Sequence, residues 1–564
     1  MGFPEFLIVD CLGVGRSREG TRFATRDVIG AGPRAVAGVL ERHRLHPSLA
    51  ECSSVFRTPK LLAKFDVLLL TGMSPDIPAL GRASRHWRRQ SGDKPLLVGG
   101  PVSADPFQAI AGSGCDICVI GEAEETLEKL LRSGLSEGEL PEVEEMIRIE
   151  GIALRDRGTI VTTGLRRPMT RKRFSQFRPS TGVVPMYRGY QAARVYVEVV
   201  RGCSNYLRTT LELPDGRMCS HCEVCRSGPL VNRNDCPFEI PPGCGYCGVP
   251  SFFGPSRSRD AAEITREVCQ LLDLGVRRIV LSGSDFLDYG RDLFVEPQPM
   301  TDPRKPKPNV KAVEGLLSEL SSLKPIAKGE AVVMVENLKP NFVTEETAAL
   351  LGRYLAGTHV HLGCETGSDK HSESMGRPSS PSETVRAVKL LSEHDLRPYV
   401  YFIHGLPGED LTTARATAET VRKMVKIGAE RITVYRFRPL PMSAFSEFGG
   451  APPSVRSPSA RIVVSAARMA NRTLIRRWVG RGIKAVVYGR RRKAVVCYPL
   501  KHGPVIQGIP RQERAEPGDI VEVHIISALS HRELRGRIVK IISRWKAHRD
   551  LRAFARFSVR AGKT

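Results

Sequence analysis

Seven of the chain's 14 cysteines fall between Cys203 and Cys247. Four of them read Cys219-x2-Cys222-x2-Cys225-x10-Cys236, with Pro237 next, and another pair, Cys244 and Cys247, is again spaced by two residues. Thiolates at such intervals grip one metal or one cluster, whereas cysteines that serve only as small apolar side chains need no spacing at all. The run of four echoes iron–sulfur ferredoxins, which arrange four thiolates around a cube. It equally suits structural zinc, because LELPDGRMCSHC reads as a hairpin ending in a knuckle and a tetrahedral site would staple a module too small to own a core. Cys203 follows the apolar run RVYVEVV directly, which puts it at the carboxyl end of a strand, where parallel α/β sheets build their sites. Cys11, Cys52, Cys115, Cys118, Cys269, Cys364 and Cys497 lack such spacing and read as buried hydrophobes.

The elements around these residues alternate. From Arg194 to Phe437, six strand-like runs (RVYVEVV, RRIVLSG, EAVVMVE, HVHLGCE, YVYFIHG, RITVYRF) are each followed by a helix-length segment or, after the first, by the cysteine region and then a helix. Six strands with crossover helices predict a curved parallel sheet, a partial (β/α)6 barrel spanning 194–445 with a Cys-rich insert at 206–241. The Pro- and Lys-rich stretch 292–309 reads as a loop over its carboxyl end. Upstream, FLIVD, DVLLL, PLLVGG and DICVIGE predict an open, Rossmann-like parallel sheet over 1–135, with a linker region at 136–193. Downstream, a linker and basic helix (446–480) precede short β-type runs with Gly and Pro turns at 481–542, a small β-barrel, and a basic tail at 543–564. The fold class is α/β with an added barrel.

Composition bounds the rest. A chain of 564 residues with 41% hydrophobic content supports several cores and is neither a disordered tail nor a small disulfide scaffold. No run of about 18 uncharged apolar residues predicts a membrane span and no secretory leader is read, so the expectation is a soluble, cytoplasmic protein. Of the net charge of +25, the segment from Arg476 to Thr564, with 22 Lys and Arg against 6 Asp and Glu, carries most. That segment is an electrostatic handle for a polyanion.

The R-G-C after a strand, the later C-x2-C with Tyr246 before its last cysteine, then V-P and R-S-R, resemble the radical S-adenosylmethionine (radical SAM) superfamily, and among its members the tRNA methylthiotransferases. That resemblance implies that Cys203, Cys244 and Cys247 hold a [4Fe-4S] cluster whose fourth iron binds S-adenosylmethionine. The family spacing is C-x3-C-x2-C. Here the first gap runs from Ser204 to Gly243, so an inserted module must bring its two ends back together. GVRRIVLSGSDFLDYGR, LGCETGS, Met375-Gly376-Arg377-Pro378 and IHGLPGE resemble further family signatures in the expected order. They imply that Gly283 lets backbone approach the cosubstrate, that Glu336 and Glu365 accept from ribose hydroxyls, that Arg377 pairs with the carboxylate, and that Tyr246 and Ser368 line the same site. No catalytic side chain is assigned.

Residues 481–542 resemble a TRAM domain, through PLKHGPVIQGIP and AEPGDIVEVHIISALSHRELRGRIV, which implies an RNA partner, by family likeness a tRNA, with Arg490, Arg491, Arg492 and Lys493 on its phosphates. VGGPVSADPFQAIAGSGCDICVIGEAEETLEKLL resembles the cobalamin-binding-like domain found ahead of many radical SAM enzymes. Cobalamin is permitted by that likeness, but the loop after Asp10, CLGVGRSREG, lacks the histidine of the cobalt-ligating Asp-x-His-x-x-Gly. The family implies an electron donor such as ferredoxin or flavodoxin. The expected activity is RNA modification by methylation or methylthiolation through a 5′-deoxyadenosyl radical. The rival expectation is a non-catalytic, RNA-binding zinc metalloprotein.

Overall fold

The computed structural model describes residues 4–12, 27–449, 454, 456–491, 494–510 and 514–545. Its contacts divide the chain into two compact units, one built on residues up to Tyr196 with Cys269–Val276, the other on Val197–Val268 with Arg277–Trp545.

In the first unit, five parallel strands lie in the order Ser48–Glu51, Phe6–Asp10, Val67–Thr71, Leu96–Gly99, Ile117–Val119. The strands are apolar at nearly every position (Phe6 to Val9 and Val67 to Leu70 are buried) because helices such as Ala31–Arg42 and Ile77–Ser91 connect them across the faces. This is the 2-1-3-4-5 order of flavodoxin-like sheets, whose ligand crevice opens where the order reverses, here beyond Asp10 and Thr71. The 136–193 region is more than the linker expected from sequence. Ile152–Asp156 joins Ile117–Val119 antiparallel and turns into Thr159–Thr162. Arg157 and Gly158 both take positive φ in that two-residue connection, as a hairpin turn twisted with its strands requires.

The six expected strands form: Arg194–Glu198, whose residues divide between the units at Val197, and, in the second unit, Arg278–Ser282, Val332–Glu336, His359–Glu365, Arg397–His404 and Arg431–Arg436. The first three and the last three form two parallel sheets joined at a single bridge, Leu338 to Leu362. Helices Val310–Ser322, Glu345–Leu355, Pro381–Glu393 and Leu411–Lys426 cover the outside. Local chemistry starts them: Ser380 and Glu383 form a reciprocal capping box, and Asp410 accepts from Thr413 N at 2.6 Å. The edge strand Arg431–Arg436 is blunted by Asn471 of helix Pro458–Arg476, whose side-chain amide bonds both the N–H and the C=O of Ile432. Five strands then close a barrel in the order Gly482–Arg491, Ala494–Pro499, Val505–Ile509, Glu533–Ser543, Ile520–Ser530, around Val487, Ile506, Val523 and Leu534. Among the described residues no helix is long and apolar enough to cross a membrane.

Candidate metal centre and active site

The loop that leaves the first core strand is zipped shut at its base. Val200 and Arg201 pair antiparallel with Ser258 and Arg257, so the two flanks of the cysteine region start and finish side by side. Gly202 follows at φ +78°, and a Cβ there would lie 2.1 Å from Pro255 O. Only glycine permits that approach. One step further, Cys203 N donates to Gly254 O at 3.1 Å and Gly243 N to Leu207 O at 2.8 Å. The insert therefore returns to where it left, as the long first gap demanded.

Arg208 pins that return from inside. Its buried guanidinium donates to Ile240 O (2.6 Å), Arg233 O (3.0 Å), Asn234 O (3.1 Å) and Tyr206 O. Cys219, Cys222, Cys225 and Cys236 line one cavity with Arg208, so the four insert thiols share a site of their own. Burial works against the Arg208 charge, and Cys225 and Cys236 offset it electrostatically. Arg208→Met should leave buried carbonyls unsatisfied, at roughly 1–3 kcal/mol each. Limited proteolysis should then cut between residues 209 and 239 much faster than in wild type, with loss of whatever metal the four thiols hold.

Cys203, Cys244 and Cys247 are brought together. Asn205 ties two of them, its backbone N–H donating to Cys203 Sγ at 3.4 Å and its Nδ2 to Cys244 Sγ at 3.3 Å. Cys247 N donates to Cys244 O at 2.8 Å, and Gly245 between them donates to Met375 O while a Cβ there would strike the Phe445 ring at 2.4 Å. Burial pushes the Cys203 thiol up, and burial with repulsion from Cys244 and Cys203 pushes Cys247 to about 12. Cys203 and Cys247 resist ionising alone, and with Cys244 beside them they call for a cationic centre, which deprotonates coordinating thiols outright. The donor set fits an iron–sulfur cube with three protein ligands.

A charged network supports Cys203. Lys339 Nζ donates to Ser204 Oγ and to Asp288 Oδ2, each at 2.7 Å, and lies 3.7 Å from Asp285 Oδ2. Although burial opposes it, the Asp288 carboxylate and Cys203 hold Lys339 protonated, with its pKa raised. Arg291 pairs with Asp288 from the other side and stacks 4.2 Å from the Phe342 ring.

Glu365, Arg377 and Tyr246 form a second group. Arg377 Nη1 reaches Glu365 Oε1 at 3.3 Å and the Tyr246 hydroxyl, while Nη2 donates to Gly363 O at 2.8 Å. Glu365 sits at a register shift with φ +67°, an uncommon conformation for a side-chain-bearing residue and one concentrated at functional sites. Ser368 caps helix Asp369–Ser374, accepting from His371 N at 3.3 Å. Gly283 is close-packed on Val200, whose Cβ would be 2.9 Å from an added methyl, so its small size serves the cysteine loop directly. Glu336 lies apart from Glu365 and Arg377 in its contacts, meeting His359 and His361. Arg490 and Arg491 are exposed at the end of their barrel strand, and Arg492 and Lys493 lie outside the described residues, as does the tail beyond Trp545. Sequence reasoning passed over Asn205, Arg208, Lys339 and Asp288. The RGCSN and GSDFLDYG wording carried Asn205 and Asp288, but nothing local marks Lys339 or Arg208.

Comparison with known proteins decides the family. Residues 234–421 match the Radical SAM superfamily, a span that begins inside the insert and takes in Cys244 and Cys247. The ribosomal protein uS12 methylthiotransferase RimO of Thermotoga maritima is 29% identical over 290 residues, 50% of this chain and 62% of that protein. The chain carries a radical SAM domain. As a radical SAM enzyme it uses a [4Fe-4S] cluster and S-adenosylmethionine. Along nearly its whole length, this radical SAM chain is also 42% identical to an uncharacterized protein of Methanopyrus kandleri, covering 95% of this chain and 96% of the other. Among solved structures, the radical SAM methyltransferase TsrM of Kitasatospora setae, with cobalamin and a [4Fe-4S] cluster bound, aligns at a TM-score of 0.56 and 16% identity over 78% of this chain and 77% of that one. The cobalamin-dependent radical enzyme OxsB with aqua-cobalamin bound aligns at 0.53 and 11% identity, covering 79% and 55%. These two likenesses are of fold.

The order of the N-terminal sheet permits cobalamin, and residues 13–26 of the loop that lacks the Asp-x-His-x-x-Gly histidine lie outside the described residues. Asp10 is engaged by Leu12 N and by the Tyr187 hydroxyl at 2.8 Å, and the first residues beyond it are Cys11 and Leu12.

Proposed function

We propose that this enzyme modifies an RNA, a tRNA by its TRAM-like wording, adding a methyl or methylthio group at an unreactive carbon. The cluster, when bound, reduces S-adenosylmethionine to a 5′-deoxyadenosyl radical, chemistry that no protein acid or base supplies. The chain's own residues do the remainder. Cys203, Cys244 and Cys247 hold the cluster, Asn205 donates to two of its sulfurs, and Lys339 keeps a positive charge beside Cys203. Arg377 is set to meet a carboxylate, with Glu365 and Tyr246 fixing its fork. The buried strand ends exclude water from the radical. The insert's four thiols suit a thiophilic group, a second iron–sulfur cluster or zinc. A one-electron donor such as ferredoxin or flavodoxin and a cytoplasmic setting, where thiols stay reduced, complete the reading.

The observation that carries an RNA partner is the closed C-terminal barrel with an outward basic face. Arg535 and Arg537 alternate with the buried Leu534, Gly536 and Ile538, Lys540 is exposed further along the same strand, and Arg490 and Arg491 are exposed at the end of another strand of the barrel. Phosphate contacts of this kind make affinity fall with salt. Reversing Arg535 and Arg537 to glutamate should weaken tRNA binding about 10-fold or more and lower the salt slope by about 2, while cleavage of S-adenosylmethionine without RNA is unchanged. Nucleoside mass spectrometry of RNA from a strain lacking the protein should lose one methylated or methylthiolated nucleoside. A second reading, modification of a ribosomal protein, is favoured by the RimO likeness over half of the chain. It predicts unchanged nucleosides and a mass loss on a ribosomal protein.

A further inference from the structure

We propose that Glu336, His359 and His361 form a divalent transition-metal site inside the partial barrel, distinct from both cysteine-held centres. The three are buried, at 7%, 3% and 8% exposure, and one ligand atom from each lies within 4.8 Å of the others. Among the described residues they are the trio that meets that distance.

Strand alternation explains the placement. His359, His361, Gly363 and Glu365 share one face of their strand, opposite Val360, Leu362 and Cys364, which are at most 1% exposed. Gly363 and Glu365 belong to the Arg377 group, so the histidines sit lower on the same inner face, four residues or roughly 13 Å of strand separating His361 from Glu365. Glu336 comes from the neighbouring strand. Tyr399, stacked 5.2 Å from His359 and 5.6 Å from His361, comes from the one beyond.

Hydrogen-bond bookkeeping then points to a cation. His359 Nδ1 lies 3.3 Å from the carbonyl of Lys501, and its Nε2 lies 3.1 Å from Glu336 Oε1. A neutral imidazole has one N–H. Once Nδ1–H is given to Lys501 O, Nε2 turns a lone pair on a carboxylate oxygen, an arrangement that a positive charge between the two would resolve. Donation from the distal ring nitrogen to a backbone carbonyl is also how metal-bound histidines are held. The second carboxylate oxygen, Oε2, is 3.4 Å from His361 Nδ1. Separations of 3.1 and 3.4 Å equal the edges between ligands that each sit about 2.0–2.1 Å from one ion. Two imidazoles and a carboxylate suit zinc or ferrous iron and leave coordination positions for water or a lumen ligand.

Crystals of the anaerobically purified full-length protein, soaked with zinc and measured on both sides of the zinc absorption edge, test this. The expected result is an anomalous peak about 2.0–2.2 Å from Glu336, His359 and His361, absent from His361→Gln crystals. No peak at the trio overturns the proposal. Cobalt(II) titration provides a second readout that does not depend on that variant crystallising. Wild type should show ligand-field absorption of nitrogen- and oxygen-ligated cobalt that Glu336→Gln loses, while any thiolate-to-cobalt charge transfer persists in both. Identical spectra would make the trio a proton-bridged imidazole–carboxylate cluster and the proposal wrong.

Discussion

Cys203→Ser, purified and reconstituted without oxygen, should contain about four fewer irons and four fewer sulfides per chain than wild type. Its 5′-deoxyadenosine production should fall about 1,000-fold or more. Forty residues separate Cys203 from Cys244, yet the Cys203 backbone is fixed by Gly254 O and its sulfur accepts from the N–H of Asn205, whose Nδ2 donates to Cys244 Sγ. Removing it leaves two thiols, too few to hold a cube. Cys269→Ser is the control: that cysteine sits in helix Ala261–Asp273, outside the cysteine-rich stretch 203–247 in sequence, and its replacement should leave the iron count unchanged. Elemental analysis and product quantification by mass spectrometry check both. Equal iron in Cys203→Ser and wild type would mean that the long-gap ligand is misassigned.

Lys339→Met should destabilise the protein by about 3–5 kcal/mol, because breaking a buried ion network strands the partner charges. Asp288 and Asp285 are fully buried, and Lys339 reaches both. Arg291 remains on Asp288, so Asp285 loses its nearest cation and Ser204, next to Cys203, keeps only the longer bond from Arg291 Nη1 at 3.3 Å. Chemical denaturation under anaerobic conditions measures the effect. Lys339→Met combined with Asp285→Asn should recover part of the loss, since the carboxylate left without a cation is then neutral while Asp288 keeps Arg291. Loss of a positive charge beside Cys203 should also move the cluster's midpoint potential to more negative values, a readout that a purely structural Lys339 would not change.

Much of this architecture was legible because it is local. The centres of runs such as RIVLS and YVYFIH, Ile279 to Leu281 and Tyr399 to Ile403, are β-branched, aromatic or otherwise apolar, as strands of a helix-covered parallel sheet must be, and SPSE before a periodic segment announces its helix. Cys11, Cys52, Cys115, Cys118, Cys364 and Cys497 are buried, at 3% exposure or less, as expected of cysteines without ligand spacing, whereas Cys269, expected with them, is only half-buried on its helix. The hairpin Ile152–Thr162 was missed although Asp-Arg-Gly sits at its turn, because two strands of four or five residues on a sheet edge leave little periodicity to read. The partners of Glu336 were beyond reach for another reason. Its strand-end position suggested a ribose contact, but what a carboxylate meets depends on the adjacent strand, and His359 and His361 lie 23 or more residues away with nothing in their spacing to name a carboxylate. Arg208 and Lys339 are long-range in the same sense: a buried cation is placed by carbonyls and carboxylates that only the closed loop assembles.

The account stands on one redox centre held by both flanks of the insert. The direct measurement is made on full-length protein, reconstituted anaerobically, reduced with dithionite and supplied with S-adenosylmethionine. The account predicts 5′-deoxyadenosine in at least stoichiometric amount, together with a change in the reduced cluster's electron paramagnetic resonance spectrum when S-adenosylmethionine binds its open iron. Protein that holds only zinc, shows no such spectrum and yields no 5′-deoxyadenosine would contradict it.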